Sequence, residues 1–280
     1  MNKIALFVVF YPGAEVYVEE FFMSIKQQTQ QNFDLIIVND GYKDKNLQVL
    51  YPEVSIIELD GTNRISTNRE IGITYAIEQK YEYLLLCDVD DYFSPHRIEK
   101  SISSIVNVDI VVHDLDIVDA NRKVIFERYF SKSIDSNVAL NPSFLLTKNI
   151  FGFSNTALRV SKLQKISFPK DLRIVDWYYF TNLLNEGLKA KFIPEALTEY
   201  RQHSGNMIGI TTYTLDVFKK LLQLKKKHYS YFMDNPSYSQ LYEEMESIER
   251  MTDEEMQLLL KNNEKQTPYP LWWQNIRTNN

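Results

Sequence analysis

Three aspartates, Asp88, Asp90 and Asp91, fall within four residues at the end of the apolar run 83–87. Carboxylates this close repel one another, so the cluster costs stability unless a cation compensates it. Their oxygens suit Mg2+ or Mn2+, and the phosphates of a nucleoside diphosphate can complete the coordination shell of such an ion. The plain alternative is an acidic loop capping a helix that begins near Pro95, because Asp is favoured at a helix N-terminus. One aspartate fits that alternative; three directly after a strand fit it poorly.

Presenting such groups needs a rigid frame, and the first half of the chain has the pattern of one. Apolar runs at residues 4–10, 35–38, 54–59 and 83–87 are short and largely continuous, as strands covered on both faces are. Between them Val18, Phe21, Phe22 and Ile25 recur at helical spacings, as do Ile73, Ala76 and Ile77. The repetition predicts an α/β fold, a mixed and mostly parallel sheet flanked by helices. Ligands of such sheets sit at the carboxyl ends of the strands. The residues there are Tyr11-Pro12, Asn39-Asp40-Gly41, Asp60-Gly61 and the Asp88 cluster, so three of the four exits are acidic.

Residues 108–118 and 123–130 read as strands joined by a turn at 119–122. Residues 174–185 read as a helix stopped at Gly187, and 189–193 and 197–202 are again extended. From Thr212 onward the pattern is helical and more polar, with stripes at Leu215, Phe218 and Leu222 and at Leu241, Met245 and Ile248. The domain expectation is therefore a catalytic domain over 1–210, nucleotide-sugar side about 1–119 and acceptor side about 120–210. A helical C-terminal extension follows over 211–280.

Composition bounds the function. The 280 residues carry a formal net charge of −6, which gives no basic face for duplex nucleic acid. Hydrophobic residues make up 44%, enough for a sizeable core, and the single Cys87 excludes an intrachain disulfide framework. The apolar start reads as a first buried strand, not a signal peptide, and no run reaches the ~20 apolar residues of a membrane helix. A reducing cytoplasm is the expected location. The 13% aromatic content reads first as core and second as sugar-stacking surface.

The ordered motifs resemble glycosyltransferase family 2, with its GT-A fold, over residues 4–209. FVVFYPGAEVYVEEFFMSIKQQTQQNFDLIIVNDG is similar to that family's nucleotide-binding start, which includes Tyr11 and implies a nucleobase contact for Asp40. NRISTNREIG resembles the pattern Asn63, Arg69, Gly72, and CDVDDYFSP the DxD motif. The resemblance implies that Asp88 faces the ribose and Asp90 binds the metal, with Asp91 a further candidate contact. GFSNTALR resembles the loop framing donor sugar and acceptor, with Gly152, Phe153, Ser154 and Asn155. IVDWYYF resembles the motif supplying the catalytic base, Asp176, followed by Trp177. YRQHSGNMIG resembles the late motif that brings Arg201 and His203 to the metal and diphosphate. The chain departs from the pattern at Ile65, where a glycine is usual, at Asn68, where alanine is common, and at Val175, which stands where the base motif often has Glu.

Each residue has a plainer reading beside the functional one. Asp40 fits an Asp-Gly turn, Asp176 a helix N-terminal acid, His203 a structural histidine and Arg69 an ion pair. Trp177 reads as core before sugar platform; His96 and His113 read as structural, and Cys87 as an inert buried thiol. The expected function is an inverting transfer, dependent on Mn2+ or Mg2+, from a UDP-linked sugar to a glycan or lipid-linked acceptor of bacterial surface polysaccharide. A nucleotidyltransferase is the enzymatic rival, although residues 11–15 lack the basic residues of a triphosphate loop. A non-catalytic glycan-binding scaffold is the other. Lys225-Lys226-Lys227 and Trp272-Trp273 suit either weak peripheral membrane contact or, preferably, packing of the C-terminal helices on the catalytic domain or a second subunit.

Overall fold

The computed structural model describes residues 3–43, 46–203 and 214–278. They group into two compact units, one drawn from Met1–Leu140 and Phe151–Arg201, the other from Asn141–Ile150 and Gln202–Asn280. The expected boundary near 210, and the motif residues from Ser204 onward, lie outside the described residues.

The first unit is built on strands β1 (Ile4–Phe10), β2 (Asp34–Asn39), β3 (Ser55–Asp60), β4 (Tyr83–Leu86), β5 (Tyr92–Phe93), β6 (Ile110–Val118), β7 (Val124–Phe126), β8 (Thr156–Arg159) and β9 (Ala190–Arg201). Its helices are α1 (Val18–Lys26), α2 (Leu47–Leu50), α3 (Ile65–Glu78), α4 (Arg97–Ser104) and α5 (Val175–Asn185). One mixed sheet runs β3-β2-β1-β4-β8-β6-β9-β5, with β7 paired to β6. The parallel ladders are β3-β2-β1-β4 and β6-β9; β8 enters antiparallel between β4 and β6. The chemistry-bearing exits of β1, β2, β3 and β4 thus open on one edge of the sheet.

The core lies where α1 packs its apolar stripe on β1: Phe10, Phe21, Phe22 and Phe93 are fully buried. Their rings meet edge to face, Phe10–Phe21 at 5.8 Å and Phe21–Phe93 at 5.9 Å. Helix α3 lies directly on β1 because Gly72 has no side chain; a Cβ there would meet the Phe7 ring at 2.1 Å. Helix α5 ends as its sequence predicts, with Gly187 at φ +88° and its N–H donating to Leu184 O.

Two sequence expectations change. Residues 123–130 form a strand only to Phe126. The buried Asp114 carboxylate draws Phe130 N (2.7 Å) and Ser131 N (3.0 Å) out of any ladder, and a single 3-10 turn follows. The two extended segments after Gly187 are one strand, β9, whose register against β6 shifts around Asp114, where Pro194 cannot donate a ladder bond.

The second unit contains α6 (Leu215–Ser230), α7 (Pro236–Glu249) and α8 (Asp253–Gln266), the last opened by a Thr252/Glu255 capping box. Phe218, Leu222, Met245 and Ile248 of the predicted stripes are buried in it. Trp272 and Trp273 are buried as well, at 7% and 2% exposure. Of the lysine run, Lys225 is buried and Lys226 pairs with Glu246 and Glu249.

Candidate active site

The aspartate loop leaves β4 and is wired to the protein at each residue. Asp88 pairs with Arg69, its backbone N donates to Ser154 Oγ (3.1 Å), and Ser154 Oγ donates to its second oxygen at 3.3 Å. The Arg69 guanidinium stacks on Phe153, 4.1 Å from the ring centre. Asp91 is 2% exposed; its Oδ1 accepts from Arg201 N at 2.8 Å, while Oδ2 is buried with no hydrogen-bond partner among the described residues. Burial raises both carboxyls above the usual range, Asp91 well above it. Arg69 opposes the rise at Asp88, and Asp90 adds to it at both.

Arg201 is engaged by partners within the protein. It is 4% exposed, and its Nε donates to Asp90 O (2.8 Å), its Nη1 to Ala120 O (2.7 Å) and its Nη2 to Glu20. It therefore holds the carboxylate loop from within the protein, tying it to α1 and to the turn after β6. Glu20 escaped the sequence reading because nothing local marks it; its partner is 181 residues away.

Asp176 sits in the first turn of α5, partly exposed, with Oδ1 accepting from Trp177 N at 2.8 Å. Burial lifts its carboxyl to about 6; the Asp88 charge lifts it further and Arg69 lowers it. The base candidate and the acidic loop thus share one electrostatic neighbourhood, with Arg69 acting on both. Trp177 is fully buried and anchors α5 in the core rather than offering a face to a sugar.

Two tyrosines join this neighbourhood. Burial, then Asp90 and Asp88, hold the Tyr11 phenol above its ordinary range. Tyr200 of β9 is raised well above it by burial and by Asp91, Asp90, Asp88 and Asp176 together. Tyr200 was absent from the sequence candidates. The available signal was strand alternation: it shares a face with Thr198, whose Oγ1 donates to Ser154 O at 2.8 Å.

On the β2–β3 side, Asp40 Oδ1 accepts from Asn63 N at 2.5 Å, and Asn63 takes the left-handed φ of +59° that Asn tolerates. Gly61 permits this approach, since a Cβ there would meet Asn39 O and Asp40 Cα at 2.7 Å. The departure at Asn68 has a structural use: fully buried, its Oδ1 accepts from Thr62 N (2.8 Å) and Oγ1 (3.0 Å) and fixes the loop before α3. Ile65, another departure, is exposed at 53%. Asn155 is likewise internal, tying Gly152 N (2.8 Å) to His113 O (2.9 Å) and so setting the loop that carries Phe153 and Ser154. His113 accepts from buried Arg97 at 3.2 Å and is structural.

The donor set suits a hard divalent cation. It is all oxygen, and it includes one buried oxygen without a hydrogen bond. Among the described residues no three His, Cys, Asp or Glu side chains are grouped to hold a metal by themselves. Such an ion would need further oxygens, as Mg2+ commonly takes from phosphates. His203 belongs to the second unit and is partly exposed.

The comparisons with known proteins bear on the family and the fold. The glycosyltransferase YwdF of Bacillus subtilis is 33% identical over 124 residues, 43% of this chain and 45% of that one. The teichoic acid poly(glycerol phosphate) polymerase of Staphylococcus epidermidis is 31% identical over 116 residues, 39% of this chain and 16% of that one. The chain thus spans less than half the length of either relative. The structure of S. aureus TarS 1-349 in complex with UDP-GlcNAc matches with a TM-score of 0.61 at 16% identity, over 96% of this chain and 82% of that one. That likeness bears on the fold alone, which is the expected GT-A. The profile of glycosyl transferase family 2 matches residues 6–167, more than half of the chain. With β2 to β8 and the carboxylate loop inside that span, the chain belongs to glycosyl transferase family 2.

Proposed function

We propose that this glycosyltransferase uses a UDP-linked sugar and a divalent cation, Mn2+ or Mg2+, and transfers the sugar with inversion to a glycan or lipid-linked acceptor in the synthesis of a bacterial surface polysaccharide. The observation that carries the reading is the electrostatic coupling of Asp176 to Asp88 through their common neighbour Arg69. It brings a candidate base and a candidate donor site into one neighbourhood.

Asp40 and Asn63 are the candidates for the nucleobase, and Tyr11 and Asp88 for the nucleoside. Asp90 is the candidate metal ligand, with Asp88 and Asp91 beside it; His203 is a separate candidate, and the one that would add a nitrogen. A bound cation would neutralise the charge that develops on the departing diphosphate. Arg201 keeps Asp90 and Asp91 in register, and Arg69 opposes the rise that burial imposes on the Asp88 carboxyl. Above pH 6 Asp176 is mostly ionised and can accept the proton of an acceptor hydroxyl as it attacks the anomeric carbon. A single displacement inverts that carbon.

The UDP assignment draws support from the ligand of the TarS structure, and the surface-polymer setting from the polymerase relative. No helix among the described residues is long and apolar enough to cross a membrane. The buried tryptophans and paired Lys226 favour packing over membrane docking for the second unit. A cytoplasmic setting belongs to the same reading.

The test is a thermal-shift titration. UDP raises Tm only with Mn2+ or Mg2+ present, Asp90→Ala removes most of the gain, and His203→Ala weakens it with the fold intact. Equal stabilisation by UDP in EDTA, or a product retaining the donor's anomeric configuration, contradicts the proposal.

A further inference from the structure

The second unit holds a cleft of mixed charge in which two cations lack an ion-pair partner among the described residues. This cleft of about 550 Å3 is lined by Lys148, Arg277, Gln240, Glu243, Ser247 and Gln274, among others, a size typical of small-ligand sites. Lys148 is partly buried, its ammonium 4.8 Å from the Phe144 ring, and it makes no hydrogen bond or ion pair among the described residues. Arg277 donates through Nη2 to Gln266 (3.4 Å) and Thr267 (3.3 Å), while its Nε is buried without a hydrogen-bond partner among the described residues. Burial first, then Arg277, lowers the Lys148 ammonium below its ordinary range, so the two cations sense each other. Glu244 borders the same cleft but is engaged by Thr278 N (2.8 Å) and Oγ1 (2.9 Å) rather than by either cation.

The backbone under the two cations is fixed. Lys225 is 1% exposed, and its Nζ donates to Thr147 O (3.0 Å), Trp273 O (3.0 Å) and Ile276 O (2.7 Å). Thr147 and Ile276 are the chain neighbours of Lys148 and Arg277. Asn149 N donates to Trp272 O at 2.9 Å and joins the same two segments. The backbone of the two cations is therefore fixed from below, and neither forms an ion pair among the described residues although Glu243 and Glu244 line the same cleft. Such a pair costs stability, and a bound anion removes the cost. The neighbouring amides, hydroxyl and Glu243 carboxylate supply both donors and acceptors, as a ligand rich in hydroxyls requires.

We propose that this cleft binds a phosphorylated sugar or polyol, with the phosphate between Lys148 and Arg277 and the hydroxyls on Gln240, Ser247, Gln274 and Glu243. A point-charge ammonium beside a guanidinium fork suits a phosphate better than a hydroxyl. The inference is independent of the reaction assigned to the first unit. The test is calorimetric titration of the full chain with glycerol 3-phosphate, with glycerol and inorganic phosphate as comparison arms. Glycerol 3-phosphate binds about tenfold or more tightly than either arm. Lys148→Ala and Arg277→Gln each weaken it about tenfold, as expected for loss of one charged hydrogen bond. Asp90→Ala, in the first unit, binds it as the wild type does. Absence of binding, equal affinity for inorganic phosphate, unchanged binding by both cleft variants, or loss of binding in Asp90→Ala would each overturn the proposal.

Discussion

The acidic loop of the first unit and the cation pair of the second are both clusters of like charge, held in different ways. Asp88 is matched by Arg69, Asp91 by Arg201 N, and Arg201 in turn by Glu20. The acidic loop is thus held in place by the fold but compensated only in part, since Asp88 has a counter-charge while Asp91 keeps one buried oxygen without a hydrogen-bond partner among the described residues; this suits a site that must be organised before its ligand arrives. Lys148 and Arg277 form no ion pair among the described residues, although Glu243 and Glu244 line the same cleft, and the buried Lys225 pins their backbone. There the fold fixes position and leaves both cations available to a ligand. Under the proposals above, the first cluster performs chemistry and the second only binds.

The largest expected effect lies in the first unit. Asp176→Asn keeps the shape and lowers kcat by about 10²–10⁴ with the UDP-donor Kd nearly unchanged. Asp90→Ala damages both quantities. Because the base must be ionised, wild-type kcat/KM rises about tenfold per pH unit below pH 6 and levels above it, following the raised Asp176 carboxyl. Steady-state kinetics across pH check this, and a near-normal kcat for the Asn variant removes Asp176 from the base role.

A smaller effect is expected from Glu20→Gln, which leaves the buried Arg201 guanidinium without its counter-charge. Affinity for UDP with Mn2+ should fall about tenfold, the size of one charged hydrogen bond. The midpoint of the pH profile should stay at that of Asp176. A shifted midpoint, or unchanged affinity, breaks the claim that Arg201 acts by positioning the loop.

The smallest effects differ in sign. Asp88→Asn strands Arg69 and lowers Tm, whereas Lys148→Ala relieves repulsion and raises Tm by a few degrees, about 2–4 °C per kcal/mol in a chain of this size class. The Lys148→Ala gain should shrink as added salt screens the repulsion. Melting curves showing the same sign for both variants would erase the distinction between the two clusters.

Much of the first unit was legible because its signals are local. The run 4–10 became β1 residue for residue, and the stripe Val18, Phe21, Phe22, Ile25 became the buried face of α1 with Ile25 fully buried. Asp88, Asp90 and Asp91 stand out by mutual proximity in the chain, and the strand-exit rule pointed to Asp40. The truncation of β7 was not legible, since it depends on the Asp114 carboxylate competing for backbone N–H groups more than a dozen residues on.

What the sequence by itself determined, then, was the fold class, the strand exits and the residue types that converge there, because strand and helix periodicities and clustered charge are short-range properties. Only the tertiary structure decided what those residues do for one another. It gave Arg201 internal partners at Asp90 O, Ala120 O and Glu20, brought Tyr200 to the carboxylates and raised Asp176 to about 6 by burial. It also grouped Asn141–Ile150 with the C-terminal helices and buried Lys225 beneath a cleft. Each of these outcomes depends on desolvation or on a partner far away in the chain, and neither is written in local sequence.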